Sequence, residues 1–201
     1  MEVTSIVLAG GKNLRLGRSK ALEVIGGKSL IERVIERLEP VTNQFLIVTS
    51  QEQSEFPTSR EIEVLTDVYP DRGPLGGIYT GLLASRSSRS IAVACDMPFL
   101  NNEMLSHMID LSRDFDAVVP RWQNGMLEPL HAIYAKSCLD TMKTRLENER
   151  LGIHRFLNEI NVRYIEEEEC RQFDPELLSF FNINRPEDLK RASKLAAERD
   201  G

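Results

Sequence analysis

Val3-Thr4-Ser5-Ile6-Val7-Leu8-Ala9-Gly10-Gly11-Lys12, running on through Arg15, Gly17 and Arg18 to Lys20, is the stretch that decides the fold. Val3, Ile6, Val7 and Leu8 make a short apolar β-rich run. It stops at two adjacent glycines and gives way to a polar loop with four cations, Lys12, Arg15, Arg18 and Lys20. Glycine lacks Cβ, so backbone N–H groups there can approach a ligand and adopt the positive φ that a concave nest of donors needs. A strand, a glycine turn and neighbouring cations therefore read as an anion site. The spacing excludes the two best-known glycine loops. Adjacent glycines at 10 and 11 do not make Gly-x-Gly-x-x-Gly, and before Gly27-Lys28-Ser29 a leucine, Leu22, stands where a P-loop needs its first glycine.

Outward from this turn the apolar pattern alternates between strands and helices. Residues 21–25 are a short apolar segment, Gly26-Gly27 a turn, and Ser29 an N-cap with Glu32 at the capping-box position. Leu30, Ile31, Val34, Ile35 and Leu38 then repeat at helical spacing up to Pro40, which leaves Glu32, Arg33, Glu36 and Arg37 facing water. Strands are expected over 45–48, 62–65, 91–95, 115–119 and 161–165, and helices over 78–83, 101–111, 137–148, 153–160 and from Pro186. Residues 50–59 read as a loop or short helix, and the acidic run 166–169 as a solvated face or short helix. Residues 128–134 suit an antiparallel edge strand after a hairpin-like turn at Trp122-Gln123-Asn124-Gly125. Short apolar strands separated by helices imply an α/β, Rossmann-like three-layer sandwich: a mostly parallel sheet, covered on both faces, with an antiparallel edge. The expected organisation is a single domain over 1–201.

Composition narrows the function. The chain has 201 residues, 41% hydrophobic and 28% charged, which are globular values, and a net charge of −6, which argues against a general nucleic-acid binder. No apolar run approaches the roughly 18 residues of a membrane span, and Glu2 leads straight into a strand without a signal peptide's basic and apolar regions. A cytoplasmic location without membrane or nucleic-acid partners is expected. Cys95, Cys138 and Cys170 form no C-x-x-C pair, so packing is their expected role. His131 is one of three histidines, none at zinc-ligand spacing.

Two further segments carry chemistry. Gly73-Pro74-Leu75-Gly76-Gly77 follows the strand that ends at Thr66-Asp67, and its glycines would admit a ligand at a helix N-terminus. Asp96 closes the apolar strand Ile91-Ala92-Val93-Ala94-Cys95, at the carboxyl end of a central strand where open α/β sheets bind ligands. It is the best metal candidate, because magnesium takes one or two carboxylates and completes its shell with water and substrate phosphates. Helix capping before residue 101 is the alternative use of that acid.

Leu8-Ala9-Gly10-Gly11 with Arg15, Gly17 and Lys20 resembles the signature loop of the molybdenum cofactor guanylyltransferases, within the nucleotidyltransferases that activate a phosphorylated small molecule with a nucleoside triphosphate. Gly73–Gly77, Cys95-Asp96-Met97-Pro98-Phe99-Leu100 and Asn182-Ile183-Asn184 resemble that family's later motifs, in order. The resemblance implies transfer of GMP from GTP to molybdopterin carrying molybdenum, with Mg2+ as cofactor and pyrophosphate released. It implies Arg15, Lys20 and Asp96 as catalytic residues, with Asp96 the metal ligand. Leu8, Ala9, Gly10, Gly11, Lys20, Thr49, Asp67, Gly76 and Asp96 would bind nucleotide, and His131, Asn182 and Asn184 the acceptor, which implies a nucleotide-binding half at about 1–100 and an acceptor-binding half at about 101–201. For the two asparagines, turn and cap chemistry is the other reading. Thr49 stands where the family often has an asparagine, and a hydroxyl replaces only part of an amide's hydrogen bonding. Gly10 favours GTP over the CTP of related cytidylyltransferases, which commonly carry Leu-Ala-Ala-Gly. A cytidine dinucleotide or a sugar nucleotide is the alternative product, and a non-catalytic nucleotide binder would be expected to lack Lys20 or Asp96. Transient contact with molybdenum-insertion and cofactor-accepting proteins is a further implication.

Overall fold

A computed structural model of the chain describes residues 1–10, 20–49, 56 and 61–200. Expectations for Gly11, Lys12, Arg15, Gly17, Arg18 and, apart from Phe56, the segment 50–59 fall outside the described residues. The opening apolar run is strand β1 (Thr4–Leu8). After a 3-10 turn at Lys20–Leu22, β2 (Val24–Ile25) and β3 (Lys28–Ser29) form a small antiparallel hairpin. Gly26 and Gly27 join them at φ 55° and 80°, the paired left-handed conformation that a two-residue hairpin turn demands.

The capping box then starts α1 (Leu30–Leu38) as its sequence indicates. Glu32 N donates to Ser29 Oγ at 3.3 Å, and Ser29 N donates to Glu32 Oε2 at 2.7 Å. Arg33 departs from the expected solvent face. It is buried, and its Nε donates to the Ile25 carbonyl at 3.0 Å, so the cation ties α1 to the hairpin instead of facing water.

The remaining elements follow the expected alternation: β4 (Gln44–Thr49), β5 (Glu63–Thr66), α2 (Gly73–Ala84), β6 (Arg89–Ala94), α3 (Asn102–Leu111), β7 (Ala117–Arg121), β8 (His131–Ala135), α4 (Leu139–Glu147), α5 (Ile153–Leu157), β9 (Val162–Glu166), α6 (Glu167–Phe173) and α7 (Pro186–Asp200). The acidic run resolves into the start of α6, where three carboxylates meet the positive end of the helix.

Seven strands form one sheet in the order β5-β4-β1-β6-β8-β7-β9. Every neighbouring pair is parallel except the two made by β8. The α/β sandwich is therefore as expected, but the antiparallel strand is interior, and β5 and β9 are the edges. The polar residues that suggested an edge strand, such as Glu128, belong to the turn before it. All five residues of β8 itself are buried.

Each face of the sheet carries its own core. Ile31, Val34 and Leu38 of α1, Met104 and Met108 of α3 and Cys170 of α6 pack on one side. Leu75, Ile78 and Leu82 of α2, Met142 and Leu146 of α4 and Phe156 of α5 pack on the other. A third, smaller core joins Ile25 and Leu30 to Phe99, Ile183, Ala192 and Ala196, linking the hairpin, the segment after β6 and α7. Among the described residues no helix is long and apolar enough to cross a membrane.

Glycines let α2 lie close on the sheet. A Cβ on Gly81 would sit 2.4 Å from Ile6 Cγ2 and 2.8 Å from Ile6 Cδ1, and Ile6 is fully buried on the interior strand β1. Gly81→Ala should therefore destabilise the fold by about 1–3 kcal/mol through overpacking. Urea unfolding of the variant with an unchanged midpoint would show that the helix can shift at no cost.

Candidate active site

The order β5-β4-β1-β6 runs outward from β1 in one direction and then returns to its other side, so β1 and β6 flank the point where the winding reverses. Chains leaving such strands at their carboxyl ends open a crevice there. Backbone hydrogen bonds continue the sheet past its last residues: Cys95 N donates to the Leu8 carbonyl at 3.1 Å, Ala9 N to the Val48 carbonyl at 2.9 Å, and Asp67 N to the Thr49 carbonyl at 2.8 Å. Leu8, Ala9, Thr49, Asp67 and Asp96 thus occupy one rim, and Gly10 leaves it exposed to solvent.

On this rim three distant parts of the chain meet. Lys20 Nζ donates to Asp96 Oδ2 and, at 3.0 Å, to Asn184 Oδ1. The Lys20 and Asp96 side chains keep only 10% and 16% of their exposure. Ile183 N donates to the Asp96 carbonyl at 3.1 Å, which fastens the Asn182-Ile183-Asn184 segment to the metal-candidate loop. Asp188, in the first turn of α7, accepts from Asn184 N at 2.9 Å and Arg185 N at 2.7 Å, and these bonds hold its own carboxyl below the usual range. Ile183 sits in the third core with Ile25 and Phe99, so apolar packing aligns all three segments.

Asp96 Oδ1 is buried and has no hydrogen-bond partner among the described residues. A buried, unpartnered carboxylate oxygen beside an amide oxygen suits a hard cation. Among the described residues no three His, Cys, Asp or Glu side chains converge on one point, so a cation here would draw the rest of its shell from water and bound phosphate. Magnesium accepts that kind of coordination. The adjacent Cys95 thiol is pushed up to about 12, first by burial and then by the Asp96 charge, which fits packing and not nucleophilic attack.

Asp67 is held by contacts that its position in the sequence does not reveal. Its Oδ1 accepts from Tyr69 N and from Thr80 Oγ1, both at 2.9 Å, and Thr80 Oγ1 in turn accepts from Val68 N at 3.1 Å. A Cβ on Gly76 would lie 2.8 Å from the Tyr69 carbonyl and 3.1 Å from Asp67 Oδ2, while one on Gly77 would lie 2.9 Å from Leu8 Cδ2. Both glycines are buried in this close packing. Thr80 went unremarked because a threonine one turn beyond Gly76 looks like ordinary helix filling.

His131 lies apart from the Lys20 cluster, within the interior strand β8 and paired with Val93. The Phe180 ring is 4.7 Å from its own, and Trp122 meets Phe180 edge-on at 4.6 Å. Asn182 is linked to this group through a 3.4 Å bond from Nδ2 to the Phe180 carbonyl. Among the described residues neither His131 nitrogen has a well-formed hydrogen bond.

The description "MobA-like NTP transferase domain" matches residues 5–164. A Methanosarcina mazei protein named "Probable molybdenum cofactor guanylyltransferase" is 39% identical, over 98% of this chain and 93% of the relative. A Desulfosudis oleivorans "Molybdenum cofactor guanylyltransferase" is 35% identical over 94% of both chains. The crystal structure of Archaeoglobus fulgidus "Molybdopterin-guanine dinucleotide biosynthesis protein A" superposes with a TM-score of 0.82 at 34% identity, covering 97% of this chain and 99% of that one.

Burial pushes the His131 imidazole down to about 4, with weaker opposing pulls from the Ser179 backbone and Asp174. The unfolded imidazole protonates near 6.5, so only the unfolded state takes up the proton between those values. His131 therefore supports the fold above pH 6.5, and that support drains away as pH falls towards about 4. His131→Phe should flatten the loss of unfolding free energy between pH 6 and 5 by about 1.4 kcal/mol per pH unit. Urea titrations giving parallel pH profiles for the two proteins would contradict this.

Proposed function

The chain belongs to the family of MobA-like NTP transferase domains, and from that premise we propose that it transfers GMP from GTP to molybdopterin carrying molybdenum. The products are the guanine dinucleotide form of that cofactor and pyrophosphate. The observation that carries this reading is the meeting of Lys20, Asp96 and Asn184 at the rim where β1 and β6 diverge.

The acceptor's terminal phosphate oxygen attacks the α-phosphorus as the bond to the β-phosphate oxygen breaks. The attacking group is already an anion, so it needs no strong base. The barrier lies in bringing two anions together and in the charge that builds on departing pyrophosphate. Amides of Gly10 and Gly11 cradle the phosphates, and Arg15 and Lys20 offset their charge. Magnesium held by Asp96 would supply Lewis-acid polarisation and a template for the α-phosphate and pyrophosphate. Asn184 fixes the Lys20 ammonium, and Asp188 fixes Asn184.

Asp67, braced by Tyr69 and Thr80, contacts the guanosine along with Thr49, Gly76 and the backbone of Leu8 and Ala9. Asn182 and His131 belong to the acceptor half, about 101–201, and act through the Phe180 segment. The enzyme works in the cytoplasm as one domain and passes its product to cofactor-accepting proteins.

Pyrophosphate release with magnesium and molybdopterin, scored for GTP against CTP, tests the assignment. GTP should be the better donor; a preference for CTP would move the chain to the cytidylyl reading. Asp96→Asn should abolish release, and Lys20→Ala should lower it by about 10²-fold or more. Wild-type rates in both variants would remove the mechanism. Thr80→Val should raise KM for GTP by about tenfold with kcat nearly unchanged, and Thr80→Ser should restore it. An equal fall in kcat for both substitutions would reduce Thr80 to packing.

A further inference from the structure

On the sheet face that carries α2, the chain leaving α4 turns through 148–152 into α5 and lines a half-open cavity of about 680 Å³. Glu149 takes a left-handed φ of 57°, and Arg150 N donates to the Arg145 carbonyl at 2.8 Å, so the backbone doubles back over the end of α4. This brings Arg145, Arg150 and Arg155 to the walls of one cavity. A smaller cavity of about 260 Å³ along α4 shares Arg145, Arg150 and Glu159.

The charges in this cavity do not cancel. Arg145 is only 4% exposed; its Nη1 donates to Glu159 at 2.6 Å and its Nη2 to the Gly152 carbonyl at 3.3 Å. Its Nε is buried with no hydrogen-bond partner among the described residues. Glu149 is occupied by Arg72 at 2.9 Å, across the start of α2. Both carboxylates are thus committed, while among the described residues the guanidinium groups of Arg150 and Arg155 make no hydrogen bond or ion pair. A buried N–H without an acceptor costs stability and is found where something outside the chain satisfies it. Arg150 and Arg155 line the same cavity, and a guanidinium fork suits a phosphate or carboxylate.

We propose that this cavity is an oxyanion site for a phosphate-sized group, separate from the Lys20–Asp96 centre. Its volume is in the range of small-molecule pockets, so the oxyanion can be borne on a substrate or arrive as a free ion.

The arginine Nε–H resonances of the full chain, observed by 15N–1H spectroscopy during titration with inorganic phosphate, test the site directly. The Arg145 signal should shift saturably in phosphate and not in chloride at matched ionic strength. Arg150→Gln combined with Arg155→Gln should weaken the apparent affinity by about tenfold or more. Both side chains are exposed, so the fold should survive, and an unchanged melting midpoint checks this. Either single variant serves in its place if the pair does not fold. Turnover separates the two sources. A substrate-borne group gives a raised acceptor KM in the double variant at constant KM for GTP, whereas a free ion gives phosphate-dependent rates in wild type alone. An unshifted Arg145 signal, or one that titrates identically in the variant, overturns the site whatever becomes of the transferase reading.

Discussion

The Lys20 ammonium on the Asp96 carboxylate, steadied by Asn184, is the interaction on which the rest of the structure depends. Two largely buried charges at a sheet rim are costly unless they face each other, and removing either would strand its partner. The three residues come from the first loop, the tip of the fourth parallel strand and the approach to the last helix, so no local propensity can bring them together. The third core does so: Ile25, Phe99 and Ile183 pack into one another beneath the polar groups. Sequence separation is bridged by apolar burial, and the chemistry sits on top of it.

The same logic of close approach runs through α2. Gly76, Gly77 and Gly81 allow it to press on Tyr69, Leu8 and Ile6, which sets Thr80 against Asp67. The glycine-rich helix start brings its backbone against the Tyr69 carbonyl, the Asp67 carboxylate and the Leu8 side chain. Asp67 is thereby held in place by the protein's own groups, as its proposed part in nucleotide binding requires.

Where local chemistry decides an element, the residues alone were enough to read it. Ser29 and Glu32 announced the start of α1, Pro186 the start of α7, and the apolar runs the parallel strands. Asp96 could be placed at a strand tip because a carboxylate ending an apolar run has few other uses. What escaped depends on neighbours distant in sequence. Glu128 and Leu130 gave β8 the alternation of an edge strand, yet they precede it, and its burial comes from β6 and β7 on either side. Arg33 looked solvent-facing by helical spacing until the Ile25 carbonyl claimed it. Thr80 and Arg145 had no motif to mark them, since each acquires meaning only from what folds against it.

The central claim is that the rim at Leu8 and the tip at Asp96 hold a single triphosphate. Paramagnetic broadening of the 31P signals of bound GTP by manganese, used in place of magnesium, tests this most directly. Wild-type protein should show strong relaxation of the α-phosphorus, and Asp96→Asn should bind GTP while losing that effect. Equal relaxation in the two proteins would mean that the metal and the triphosphate meet somewhere other than Asp96.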